Sequence, residues 1–254
     1  MSGFWVLLRK EFKEQFKTNK ILIVAAVFLF FGLSTPVMTK YLPEIIKSMP
    51  STGGIIIEMP TPTSNDALVS YTSDISQFGV LMAVLVAMGA IAKEVESGTA
   101  AMVLSKPVGR LAFILAKLKA EGFTFLVALI LGGLACWGYT VLLFGDANAL
   151  GFLYQNLLLG LFFALCLGIT LFFSSLMKSQ LAAGGLAIAL IIFLSAISGL
   201  PWVGRFLPGQ LINWGNRLVL GQPGAGEWGA VIAVALLTAL SVYCTWLTLR
   251  KKEL

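Results

Sequence analysis

Histidine is absent from this 254-residue chain, cysteine occurs only three times, and charged residues make up just 12% of it. Without histidine there is no imidazole for general-base catalysis or zinc ligation. The H-E-x-x-H metal motif, the G-x-S-x-G elbow and the G-x-x-x-x-G-K-[ST] phosphate loop are also missing. The chain is therefore expected to be non-catalytic and to bind no cofactor or metal itself. Cys136, Cys166 and Cys244 stand far apart in separate apolar runs and lack metal-ligand spacing, so a disulfide framework is not expected. The shortage of charge matters most. At 58% hydrophobic residues and a mean hydropathy of +0.90, the chain has too little polar surface to cover a soluble globule of its size.

What is present instead is a series of long apolar runs. A helix rises about 1.5 Å per residue, so about 18 or more apolar residues cross a hydrocarbon layer of about 30 Å. Six runs qualify: residues 21–39, 75–92, 122–144, 152–177, 181–200 and 228–249. The expected fold is an all-α integral membrane protein in which residues 1–254 form a single membrane domain.

Orientation follows from lysine and arginine. With the N-terminus in the cytoplasm, only Lys40, Lys47, Arg205 and Arg217 of the 18 basic residues fall outside. This bias predicts a multi-pass protein of a plasma or inner membrane, expected to be prokaryotic, with both termini cytoplasmic. The +6 net charge is then a topology signal and not a nucleic-acid footprint, because no soluble face exists to carry one. No cleavage pattern follows the first run, which is read as a retained signal anchor.

Ahead of that run, residues 4–20 place Phe4, Trp5, Leu8, Phe12 and Phe16 on one side of a helix and Arg9, Lys10, Lys13, Lys17 and Lys20 on another arc. Such a helix lies in the membrane interface, with Trp5, Phe12 and Phe16 toward lipid and Arg9, Lys10 and Lys13 toward headgroups or a cytoplasmic partner. The outer segment 40–74 is expected to be a small loop with short helices, because Pro43, Pro50, Pro60 and Pro62 interrupt anything longer. Residues 199–227 mix Trp202, Phe206, Leu211 and Trp214 with glycines and prolines, which predicts a re-entrant or interfacial pair of short helices capping the outer end.

Small residues recur at helical spacing in Gly79, Ala83 and Ala87, in Gly160, Ala164 and Gly168, and in Ala183 and Ala187. They allow close backbone approach, either within one subunit or between two. No predicted span carries a charge near its centre. Glu121 stands at the inner end of the third span, where Lys117, one helical turn earlier, is its expected partner.

The N-terminal RKEFKE, the connection EVESGTAAMVLSKPVGR with the FILAKL that follows, the late FLPG and the terminal LRKKEL are similar to features of the ABC-2-type permeases, the six-span membrane subunits of ATP-binding-cassette exporters. The resemblance implies a dimer, either of identical chains or of paralogues, each subunit docked on one of two ATPase subunits that bind ATP and Mg. It also implies a coupling helix at about residues 94–104, so that Glu94, Val95, Glu96, Gly98, Thr99, Met102, Lys106 and Arg110 would meet the ATPase. Glu94 and Glu96 have three possible fates: pairing with the ATPase, pairing with the N-terminal helix, or simple solvation.

By the same resemblance, spans two and five line the path or the dimer seam, through Ser76, Gln77, Gly79, Ala83, Ala87, Ser195 and Ser198. That lining suits an amphiphilic or lipid-like cargo. Membrane lipids are further expected partners and nucleic acid is not. ATP-driven force on an accessory protein, without cargo, is the alternative.

Overall fold

The computed structural model describes residues 3–48, 61–99, 109–200, 204–222 and 226–251. Among these the architecture is all helical. In chain order the helices are α1 Gly3–Lys17, α2 Lys20–Ser48, α3 Ser64–Ala87, α4 Ala92–Glu96, α5 Arg110–Phe144, α6 Ala149–Leu176, α7 Gln180–Ile197, a 3-10 turn Gly204–Phe206, α8 Gly209–Val219 and α9 Trp228–Lys251. Six segments are long and apolar enough to cross a membrane, and they match the six runs read from the sequence.

Their ends differ from expectation on one side. α2 continues through Pro36 and Pro43 to Ser48, and α3 starts at Ser64, so most of the described part of the supposed outer loop is helix. Pro36 removes one backbone donor and crowds the preceding turn, but within an apolar layer any alternative to helix would leave many more groups unpaired. Thr63 starts α3 with a reciprocal cap: its hydroxyl accepts from the Asp66 N–H, while the Asp66 carboxylate accepts from the Thr63 N–H. The aspartate completes the box in place of the more usual glutamate.

α6 is the central helix. Every residue from Leu165 to Leu171 is buried, as expected for a helix apolar on all sides. α2 lies along α5, α9 and α3 pack on α6, and α7 touches the bundle on one edge through Ala183, Gly184, Ala187 and Ile191. The closest approach is backbone to backbone. A Cβ added to Gly32 would run into the Gly132 carbonyl, and one added to Gly132 would come within 2.7 Å of the Phe28 carbonyl oxygen. Lipid offers no hydrophobic drive for this crossing, so close van der Waals packing holds it.

Two lysines bracket α2. Lys20 Nζ donates to the Val86 carbonyl at 3.2 Å and Lys40 Nζ to the Leu143 carbonyl at 2.6 Å. They are 20 residues apart, about 30 Å along a helix, which is the thickness of the hydrocarbon layer. Their separation suits its two boundaries. α1, α4 and the last turn of α9 meet at the end marked by Lys20, called below the basic end. There Arg110 donates to the Arg250 carbonyl at 3.2 Å, a cation placed at a helix C-terminus.

At the opposite end, α8 buries Leu211, Trp214, Gly215 and Val219 against the bundle, chiefly on α6. Asn148 donates to the Leu218 and Val219 carbonyls, at 3.1 Å each, at the end of α8, while its own Oδ1 accepts from the Gly151 N–H and caps α6. Among the described residues this cap is one helix and one 3-10 turn.

Candidate functional site

The sequence patterns α1 as apolar on one side and basic on another, yet its most deeply buried positions belong to neither arc, while Phe4 and Leu8 of the apolar arc are partly buried beside them. The buried positions are Leu7, Glu11 and Gln15, spaced by four. A carboxylate at the centre of a buried stripe needs a buried cation, and α5 supplies Lys117, which is only 2% exposed. Lys117 Nζ donates to both Glu11 oxygens at 3.2 Å and stands 3.1 Å from Glu94 Oε1 on α4. Lys10 joins from α1, at 2.6 Å from Glu94 Oε1 and 3.1 Å from Glu11 Oε1. Two lysines and two glutamates thus tie three helices, α1, α4 and α5, together in one charge cluster.

Around this cluster, Leu7, Ile91, Phe113, Ile114, Ala116, Leu171 and Leu249 form an apolar patch separate from the main core, and Val95 packs on it. The Phe113 ring centroid lies 5.0 Å from Lys117 Nζ, a further weak attraction for the cation. Burial opposes the charge of Lys10, but the Glu94 hydrogen bond and the Glu11 and Glu94 charges outweigh it and hold this ammonium above the ordinary lysine range. Glu11, Glu14 and Glu94 bring carboxylate oxygens within 4.8 Å of one another, a grouping that could hold a metal ion if it were bare. Lys10 and Lys117 already occupy both oxygens of Glu11 and Oε1 of Glu94.

The turn between α3 and α4 is fixed from α6. Ser174 Oγ accepts from the N–H groups of Ile91 and Ala92, at 3.0 Å each, and donates to the Met88 carbonyl at 2.8 Å. One hydroxyl therefore satisfies three backbone groups at an elbow where the helix is interrupted. The elbow, the cluster and α1 make the basic end a cross-braced unit.

Of the residues expected to meet an ATPase, Glu94 meets the N-terminal helix through Lys10, and Arg110 meets α9. Glu96, Gly98 and Thr99 are exposed, and the chain turns at Gly98 with φ +73°. Thr99 Oγ1 donates to the Glu94 carbonyl at 3.2 Å. Residues 100–104 of the expected coupling helix, Met102 among them, and Lys106 lie outside the described residues. On α1, Trp5 and Phe16 are exposed beside Arg9 and Lys13, whereas Phe12 packs edge-on against Phe123 at 5.1 Å.

Three expectations need correction. Glu121 does not pair with Lys117, whose ammonium is drawn to Glu11 and Glu94; Glu121 is 2% exposed, with Oε2 lacking a hydrogen-bond partner. Gly79, Ala83 and Ala87 do not form an open seam, because they are buried inside this chain; a Cβ on Gly79 would strike the Phe163 ring. Ser198 is likewise internal: its hydroxyl donates to the Leu194 carbonyl and accepts from the Gly209 N–H. Ser195 and Gln77 are exposed, and Ser76 donates to the Ser73 carbonyl. Thirdly, a span does hold a charge: Asp74 lies within α3 and accepts from Thr35 Oγ1 of α2 at 2.7 Å.

Glu11 escaped the sequence reading because hydropathy scores a glutamate as a surface residue. The usable signal was the four-residue spacing of Leu7, Glu11 and Gln15 together with Lys117 standing among the apolar residues FILA at the start of a long helix.

A six-span bundle with an interfacial helix braced to the start of its second inter-span connection is the arrangement of a membrane transport subunit. The chain belongs to the ABC-2 family: the family model described as "ABC-2 family transporter protein" matches residues 5–223. The chain is also similar to an uncharacterized transmembrane protein, YxlG, of Bacillus subtilis strain 168, with 25% identity over 252 residues and 97% of each chain covered.

Proposed function

We propose that this chain is the permease subunit of an ABC exporter, that its basic end lies in the cytoplasm, and that it moves an amphiphilic or lipid-like cargo using displacement received from a separate ATPase. The observation that carries this reading is the Glu11–Lys117–Glu94–Lys10 cluster, buried at Glu11 and Lys117 and open at Lys10, which ties α1, α4 and α5 together. A push on the exposed surface around Glu96 then reaches α5 directly and α3 through the Ser174 elbow.

In this reading two permease subunits face each other and each engages one ATPase, which holds the ATP and Mg. ATP shifts the assembly only through its unequal affinity for two conformations. The permease must therefore fit the closed ATPase pair better than the open one. The concentration of basic residues at one end supports the orientation.

The test begins with the complex isolated in mild detergent and reconstituted. An ATPase should accompany the chain, and ATP-driven transport should fall several-fold when the exposed Lys93 and Glu96 are charge-reversed, because charges at the rim of an interface govern docking more than folding. Nucleotide hydrolysis by the purified chain alone, or full coupling in the reversed variant, would overturn the reading. A cysteine at Ser97 should label only after permeabilisation and one at Thr61 from outside; the opposite pattern removes the orientation.

A further inference from the structure

α3 carries a polar arc where a lipid-facing helix would be apolar. Asp66, Ser70, Ser73, Asp74 and Gln77 recur at spacings of three and four, so they share one side of the helix, opposite the buried Leu68, Tyr71 and Ile75. None of the five is buried within the chain. The arc stops there: Leu81 and Leu85 continue the exposed surface toward the basic end. Water or a polar ligand is thus expected against the outer half of α3 and not against its inner half.

Asp74 is the charged member of this arc inside the layer. Asp66 is occupied by the helix cap at the outer rim. Thr35, which donates to Asp74 Oδ2 at 2.7 Å, lies five residues from Lys40, about 8 Å along α2 from the outer boundary. Carboxylates at such a depth pair with a cation, line a water-filled path or both. Among the described side chains no lysine or arginine lies within ion-pair distance of Asp74, and Lys47, in the last turn of α2, stands about 18 Å along that helix from Thr35. Lys40 is turned to the Leu143 carbonyl, and Arg217 pairs with Glu227 at 3.0 Å. The segments 49–60, 201–203 and 223–225 contain no basic residue.

The outer side also carries a surplus of the same sign: Glu44, Glu58, Asp66, Asp74, Asp146 and Glu227 against Lys40, Lys47, Arg205 and Arg217.

We propose that Asp74, held by Thr35 within the outer half of the layer, binds a positively charged group of the amphiphilic cargo. The inference rests on the export reading above and narrows its cargo to cationic amphiphiles. A cation leaving the inner half would meet Asp74 first and the acidic outer rim next, so the field favours outward movement.

Binding can be measured without an ATPase, which separates this inference from the coupling reading. The full chain in phosphatidylcholine nanodiscs is titrated with rhodamine 6G, a cationic amphiphilic dye, with empty nanodiscs subtracted. Dodecyltrimethylammonium and uncharged dodecyl glycerol ether serve as competitors. The cation should compete at least about tenfold better than the uncharged ether, Asp74→Asn should abolish that preference, and Asp74→Glu should keep most of it. Thr35→Val should weaken it less.

Equal competition by the two probes, or an unchanged preference in Asp74→Asn, overturns the proposal. A change in oligomeric state in Asp74→Asn with no change in probe binding also overturns it, and assigns the arc to a second copy. Probe binding through Asp74 in a chain that never engages an ATPase would keep this site and remove the export reading.

Discussion

The two ends of the bundle handle charge in opposite ways. At the basic end, Lys117 is nearly inaccessible and its ammonium meets two carboxylates from two other helices. In the opposite half, Asp74 is left partly exposed with a single hydroxyl for company. Charges cancelled among themselves brace helices to each other; a charge left open is available to something that arrives and departs. On the proposed reading, the difference separates a part that transmits displacement from a part that receives a ligand.

The largest effect should come from breaking the braced end. Lys117→Met leaves Glu11 and Glu94 with only Lys10 between them, and losing one partner of a buried ion pair costs about 3–5 kcal/mol. Thermal unfolding in detergent should show the loss, and the exchange Glu11→Lys with Lys117→Glu should recover part of it. Asp74→Asn should leave that unfolding temperature nearly unchanged. An equal loss in both variants would erase the contrast between the two ends.

Next in size is the α2–α5 crossing. Gly132→Val inserts a side chain where the Phe28 backbone already sits, and overpacking of this kind costs about 1–3 kcal/mol. Ser174→Ala should follow at about 1–3 kcal/mol, since backbone groups at the α3–α4 elbow lose their shared partner. This variant should also loosen coupling, read as hydrogen exchange at Ile91 and Ala92 rising ahead of exchange elsewhere.

The smallest effect concerns pH. A lysine whose charge is favoured by folding contributes its full stabilisation below the unfolded-state value, about 10.4, and loses it only as pH rises through the folded-state value above that. Lys10 is such a group, so its grip on Glu94 should be constant between pH 6 and 9. Docking of α1, followed by fluorescence of Trp5, should be flat over that window as far as Lys10 is concerned.

The long runs were legible because hydropathy over about 20 residues is a bulk property that no single neighbour can reverse. Helix ends were less so: Pro36 and Pro43 read as breakers, yet α2 runs through both. The family was legible in the charged connection that begins at Lys93, and the sequence model of the ABC-2 family covers that connection. The braced site was not legible, because its face of α1 is defined by Glu11 pairing with a lysine 106 positions away. Pattern along a chain registers what a residue prefers, and only the fold shows what answers it. Gly32 and Gly132 illustrate the same limit: Gly132 stands in a stripe of small residues with Ala128 and Cys136, but nothing in the sequence shows that Gly32 is what meets it at the closest approach of two helices.

Lys20 and Lys40 give α2 a fixed gauge length, with an ammonium hooked to a neighbouring carbonyl at each rim. Such a helix cannot slide to suit its surroundings. In bilayers of shorter or longer acyl chains, the whole bundle must tilt or one hook must let go, at a modest cost for each ångström of mismatch. Transport by this protein should accordingly peak at one lipid length and decline on both sides of it.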